Sequence, residues 1–344
     1  MTRHPGLLAA ALLLACTPAS HESAAARPAM AHDSCRFTSA DSAWTAAAIQ
    51  GWHRQVARGL RAPTRVVPSL VLFDERCSHT LVPVAAGARA SFVAGAWRFV
   101  STDVAHEGSV PLPDGSRIPA QLVSFAAPDS SGGVSFVMAL PAIWRSSRPG
   151  PQSELLATAV FMHEFAHTQA GALTARVDML VSRGLPQDVT DDVVQHMFAE
   201  RPGFRAAYEA ERDLLFRAAG APTREAAAEL AARALELIDR RRAAFFAGGD
   251  SLFAPAEDLF LTLEGTGQWA AYLWLTDPAG GDMSPDEALP FVRRGGRRWS
   301  QDEGLALALV LARLDPGWSA RVFADRPETV LGVLRSTLAA RPLR

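Results

Sequence analysis

The chain has 344 residues, of which 49% are hydrophobic and 20% charged, enough to bury one large core or two ordinary ones and too apolar for wholesale disorder. A formal net charge of −2 and a pI near 6.5 argue against a nucleic-acid partner, which calls for a basic excess. Lys and Asn are absent, Arg supplies all 34 cationic residues, and mean hydropathy is +0.06 with one continuously apolar run, so a multi-span membrane protein is excluded as well.

That run is at the start. Thr2-Arg3-His4 is a short basic segment, and Gly6 to Ala15 is apolar but too short to span a bilayer, the length of a signal-peptide core. Leu13-Leu14-Ala15-Cys16 resembles the bacterial lipobox, in which the Cys is acylated and becomes the first mature residue. The resemblance implies an exported lipoprotein, and Thr17, where retained lipoproteins often carry Asp, implies sorting to the outer membrane on its periplasmic face. The alternative is a cleaved, secreted protein, for which Ala24-Ala25-Ala26 and Ala29-Met30-Ala31 offer sites, though both lie well past the apolar run. Residues 17–32 read as an Ala/Ser/Pro-rich tether. With Cys16 lipidated, Cys35 and Cys77 remain as an even pair in an oxidising compartment, and a disulfide between them is expected, worth ~3–4 kcal/mol in the chain-entropy picture.

Asp41 to Leu60 reads as a helix capped by Asp41 or Ser42, with Trp44, Ala47, Ala48 and Val56 near helical spacing. From Val66 to Leu140 short β-rich runs (Ser69–Phe73, Trp97–Thr102, Ala120–Phe125, Val134–Leu140) alternate with Pro, Gly and Asp, and Pro113-Asp114-Gly115-Ser116 is a turn. Beyond Pro149-Gly150-Pro151 the pattern is helical, with segments near 153–171, 188–199, 203–219, 223–247, 256–275, 285–294, 300–313 and 326–340. Arg293-Arg294-Gly295-Gly296-Arg297-Arg298 is a basic cluster that reads as a solvated loop or, alternatively, as a site for a substrate carboxylate or phosphate. The expected fold is therefore α+β and mostly α. Its parts are a signal peptide at 1–16, a tether at 17–32, an α/β subdomain at 33–150 and a helical subdomain at 151–344.

The chemistry concentrates in Phe161-Met162-His163-Glu164-Phe165-Ala166-His167, inside the helix predicted over 153–171. Residues four apart share a helical face, so His163 and His167 can offer two imidazoles to one metal ion. Glu164, rotated by about 100°, lies beside that ion and can take a proton from a bound water. Two neutral imidazoles and a carboxylate suit one zinc ion with a fourth position open for water.

His163-Glu164-Phe165-Ala166-His167 resembles the zincin metallopeptidases. Ala170 and Leu173 stand where the metzincin branch needs Gly and a third His, so the resemblance points to the gluzincins, whose third ligand is a Glu on a later helix. Glu264, in Leu261-Thr262-Leu263-Glu264-Gly265-Thr266-Gly267-Gln268-Trp269-Ala270-Ala271-Tyr272, resembles the Glu-Gly-x-Ala-x-Tyr element of several such families, with Gly267 in place of Ala and Trp269 as the aromatic. Glu211 is the alternative third ligand and Glu209 a weaker one; the apolar setting of Glu264 favours it, since a buried carboxylate needs a partner. Tyr272, or else Tyr208, is a candidate to steady the oxyanion. Asp191 and Asp192 could orient a liganding His, or simply cap a helix. His196 could donate a hydrogen bond in the transition state or be structural. By the same resemblance, Val134–Leu140 is a candidate edge for an extended substrate.

The expected protein is an envelope zinc metallopeptidase. Its partners are a peptide or protein substrate and, through a lipid anchor, the membrane; no nucleic acid is involved. The competing class is a non-enzymatic envelope lipoprotein with a structural metal or a partner-binding helical half.

Overall fold

The computed structural model describes residues 35–63, 66–129, 132–187 and 189–340, so Cys16, the signal peptide and the whole tether lie outside the described residues. Contacts divide the described chain into two units, 35–50 with 66–164 and 51–63 with 165–340.

α1 (Ser39–Gln55) starts earlier than expected because Thr38, not Asp41, closes its first turn: the Asp41 amide donates to Thr38 Oγ1 at 3.1 Å. A wider π turn (Val56–Leu60) ends at Arg61, whose φ is 47°.

The strands are β1 (Ser69–Phe73), β2 (Cys77–Pro83), β3 (Phe92–Ala94), β4 (Trp97–Ala105), β5 (Ser109–Pro111), β6 (Arg117–Pro119), β7 (Ser124–Pro128) and β8 (Val134–Ala139). Six form one mixed sheet in the order β3-β4-β2-β1-β8-β7, in which only β1 and β8 run parallel, with Val71 opposite Val137. β1 and β8 are near-continuous apolar runs, as strands covered on both faces must be. β5 and β6 form a hairpin whose turn is the expected Pro113–Ser116, with Gly115 at φ 85°. Two expectations change. β2 is a strand that the sequence hides, because Ser78, His79 and Thr80 lack an apolar alternation; it is secured by pairing with both β1 and β4. β8 is paired on both sides, so it cannot receive a substrate strand, and the open edge on that side of the sheet belongs to β7. Cys35 and Cys77 lie at disulfide distance, with Cα atoms 5.7 Å apart.

The remaining elements are helices: α2 (Pro141–Ser147), α3 (Ser153–His167), α4 (Gly171–Ser182), α5 (Val193–Phe198), α6 (Phe204–Ala219), α7 (Arg224–Phe245), α8 (Phe253–Leu275), α9 (Pro285–Arg293), α10 (Trp299–Leu314), α11 (Trp318–Val322) and α12 (Val330–Ala339). α4 departs from the expected pattern: Gly171 reads as a helix stop, yet it opens a new helix after the turn Thr168-Gln169-Ala170. α7 is capped by Thr223 Oγ1, which accepts from the Ala226 amide, as its sequence suggests. None of the described helices is long and apolar enough to cross a membrane.

α8 is apolar almost all round and accordingly buried along nearly its whole length. It crosses α10 backbone to backbone. A Cβ on Gly265 would lie 2.5 Å from the Gly304 carbonyl oxygen, and one on Gly304 would lie 2.5 Å from that of Leu261. Any side chain at either position would force the helices apart.

Beneath this crossing, Arg241 is fully buried between Glu211 (Nε to Oε1, 2.7 Å) and Glu257 (Nη1 to Oε1, 3.0 Å), and Arg242 shares Glu257 (Nε to Oε2, 2.8 Å). Burial opposes ionisation of Glu257, but the two guanidiniums win and hold it below its ordinary range. Burial pushes Glu211 up to about 7 against the pull of Arg241. Glu303, buried beside them, is raised well above the carboxylate range by desolvation and then by Glu211.

Candidate metal centre

α3 is held by its apolar residues. Phe161, Met162, Phe165 and Ala166 are fully buried. Trp44 sets its edge on the Phe161 ring (5.7 Å) and donates from Nε1 to Thr158 Oγ1 at 3.0 Å. Trp52 packs on Phe165 at 5.2 Å. With those faces fixed, the helix has no freedom to rotate, and His163 and His167 stack one turn apart.

The structure brings the two imidazoles together with Glu264. A nitrogen of each His and a carboxylate oxygen of Glu264 all lie within 4.8 Å of one another. His167 Nε2 is 3.4 Å from Glu264 Oε1. Two ligands each ~2.1 Å from a tetrahedral ion are about 3.4 Å apart, so this pair has the separation a shared zinc requires. His163 and Glu264 are 3% and 1% exposed, so the donors face a nearly dry site, where a carboxylate is costly without a cation. The donor set fits zinc.

Glu164, also buried, is oriented by Ser124, whose Oγ donates to Oε1 at 3.1 Å. Ser124 is the first residue of β7. Glu264 is held from its other oxygen by Gln301, whose Nε2 donates to Oε2 at 3.0 Å. Burial pushes the Glu264 carboxyl up, while the His167 imidazole, the Gln301 hydrogen bond, Arg298 and Arg294 pull it down.

The rival carboxylates are elsewhere. Glu211 is committed to Arg241, and Glu209 is half-buried on α6. Tyr208 donates its hydroxyl to the Trp299 carbonyl (3.1 Å) and stacks on that indole at 4.2 Å. Tyr272 stacks on Trp269 (5.7 Å) and lies eight residues past Glu264, about 12 Å along α8. His196 is exposed on α5. Asp192 is paired with Arg298. Asp191 is buried and raised by desolvation and next by Glu264, so it sits within electrostatic reach of the triad. In the basic cluster, Arg293 is tied to Asp302 (2.6 Å), while Arg294 and Arg298 are the residues whose charge reaches Glu264.

Sequence reasoning passed over Ser124 and Gln301. No local signal marks either, since a serine opening a strand and a glutamine in a first helical turn are common; only the tertiary contacts single them out.

No family model matches the chain, and neither a curated protein nor a solved structure shows significant similarity to it.

Proposed function

We propose that the protein is a zincin-like, zinc-dependent metallopeptidase of the gluzincin type. The observation that supports this most is the convergence of His163, His167 and Glu264 with a buried Glu164 one residue away on the same helix. Zinc held by the three donors would lower the pKa of a water and polarise the scissile carbonyl. Glu164, its carboxylate oriented by Ser124, would take a proton from the attacking water as the water oxygen bonds to the carbonyl carbon and the C=O π pair moves onto the carbonyl oxygen. Glu164 would then deliver that proton to the amine, which leaves as the C–N bond breaks and the C=O bond re-forms. A site with a purely structural metal has no use for a base in this position. The open edge of β7, which begins at Ser124, is suited to hold an extended peptide through main-chain hydrogen bonds.

The test is metal analysis of the purified protein together with cleavage of an unquenched peptide pool. One zinc per chain, and cleavage that stops on chelation and returns with zinc, is the expected result. Zinc without cleavage would leave only a metal-binding envelope protein.

The location is proposed from the N-terminus alone: acylation of Cys16 would anchor the enzyme in the envelope, on the periplasmic face of an outer membrane. Lipid labelling should vanish in a Cys16→Ser variant, and labelling that persists would overturn the anchor.

A further inference from the structure

We infer that Gln301 is a positioning residue that confines Glu264 to one-oxygen ligation, and that Gln268 sets the orientation in which Gln301 does so. This rests on the metal centre proposed above. Gln301 Nε2 donates to Glu264 Oε2 at 3.0 Å, leaving Oε1 as the oxygen that faces His167 Nε2 at 3.4 Å. Gln268 Nε2 donates to Gln301 Oε1 at 2.7 Å. Gln268 is one turn beyond Glu264 on α8, so one helix supplies both the carboxylate and the group that orients its clamp.

The direction of this chain is dictated by chemistry. A carboxylate accepts and cannot donate, so the Gln301 amide must turn its NH₂ toward Glu264 and its oxygen away. That oxygen then needs a donor, and the buried Gln268 side chain, 2% exposed, provides it. The reverse arrangement would set the Gln301 oxygen against a carboxylate oxygen. The amide orientations are thus tied to the anionic form that a metal ligand takes.

The glycine crossing makes the contact possible. Gln301 and Gly304 are three residues apart on α10 and share the face turned toward α8. With Gly304 against Gly265, the α10 backbone is close enough for a glutamine to reach the neighbouring Glu264. Held this way, Glu264 offers one oxygen; with two imidazoles that makes three protein donors and leaves a fourth position for water. Released, the carboxylate can rotate and offer both oxygens, raising the coordination number at the expense of the water position.

The experiment compares the full chain with its Gln301→Met and Gln268→Met variants, using zinc ions in competition with a chromophoric chelator and cobalt(II) ions as a spectroscopic probe. Methionine keeps the volume and removes the amide. In Gln301→Met, zinc affinity should fall by ~10–100-fold, the usual cost of an outer hydrogen bond to a ligand. The cobalt visible bands should weaken as four-coordinate ion gives way to five-coordinate. Gln268→Met should shift both readouts in the same sense by less, and it carries the test alone if Gln301→Met does not fold. A merely structural glutamine would change the melting temperature but not the cobalt spectrum. Unchanged affinity and spectrum in the folded variants, beside a parent that binds one zinc, would overturn this inference and leave the metal centre intact. A parent that binds no zinc would overturn both.

Discussion

Glu164→Gln is expected to leave zinc content unchanged and to abolish hydrolysis. Glutamine occupies the same volume, and its oxygen can still accept from Ser124 Oγ, which holds Glu164 Oε1 at 3.1 Å, so the side chain should keep its orientation. What it lacks is basicity. Loss of general-base assistance alone is worth ~10²–10⁴ in rate, and in the proposed mechanism the same group also protonates the leaving amine. The readings are zinc per chain by elemental analysis and turnover of a peptide that the parent cleaves. A variant that emerges free of zinc would make Glu164 a ligand and the assignment of roles mistaken. A variant that retains parental turnover would remove Glu164 from the chemistry altogether.

The second large effect separates Glu264 from Glu211. Glu264→Ala removes the anionic donor of a three-residue set, and zinc binding should weaken by more than the ~10–100-fold that an outer contact costs. Glu211→Ala should leave zinc content intact and act on stability instead. Glu211 is fully buried against Arg241, whose remaining carboxylate is Glu257, and stripping one partner from a buried guanidinium costs about 3 kcal/mol. Zinc stoichiometry after dialysis against a weak chelator and a thermal melt, run on both variants beside the parent, give opposite patterns. An empty Glu211 variant beside a full Glu264 variant would move the third ligand to α6.

How much of this could be read from the chain varies with how local each signal is. His163, Glu164 and His167 depend on spacing within one helix, so their alignment is legible before any fold is known. Glu264 is legible more faintly, through an apolar stretch that leaves a carboxylate in need of a partner. The small residue after it, Gly265, admits a close approach by α10, a helix that no local pattern identifies. Gln268, Gln301 and Ser124 gain their roles from elements distant in sequence. The same holds for β2, whose polar residues become a strand because β1 and β4 pair with it on both sides. α4 was hidden for the opposite reason: Gly171 is a common terminator that here begins a helix. Val134–Leu140 is recognisable as a strand, yet whether a strand is central or at an edge is a property of the sheet and not of its residues.

Four consecutive residues at the start of α10 point in four directions about 100° apart. Gln301 reaches Glu264, Asp302 reaches Arg293, Glu303 lies buried within electrostatic reach of the Glu211–Arg241 group, and Gly304 lies on Gly265. Such a segment can be seated in only one way. A slip by one residue, or a partial rotation of the helix, would strand a buried acid, drive a side chain into a backbone and break the contact to Glu264 together. Apolar packing alone would tolerate several near-equivalent seatings for the Leu- and Ala-rich stretch that follows, Leu305 to Leu311. The tetrad works as a key, excluding those alternatives, so that the carboxylate presented to the two histidines occupies a single position in every correctly folded molecule.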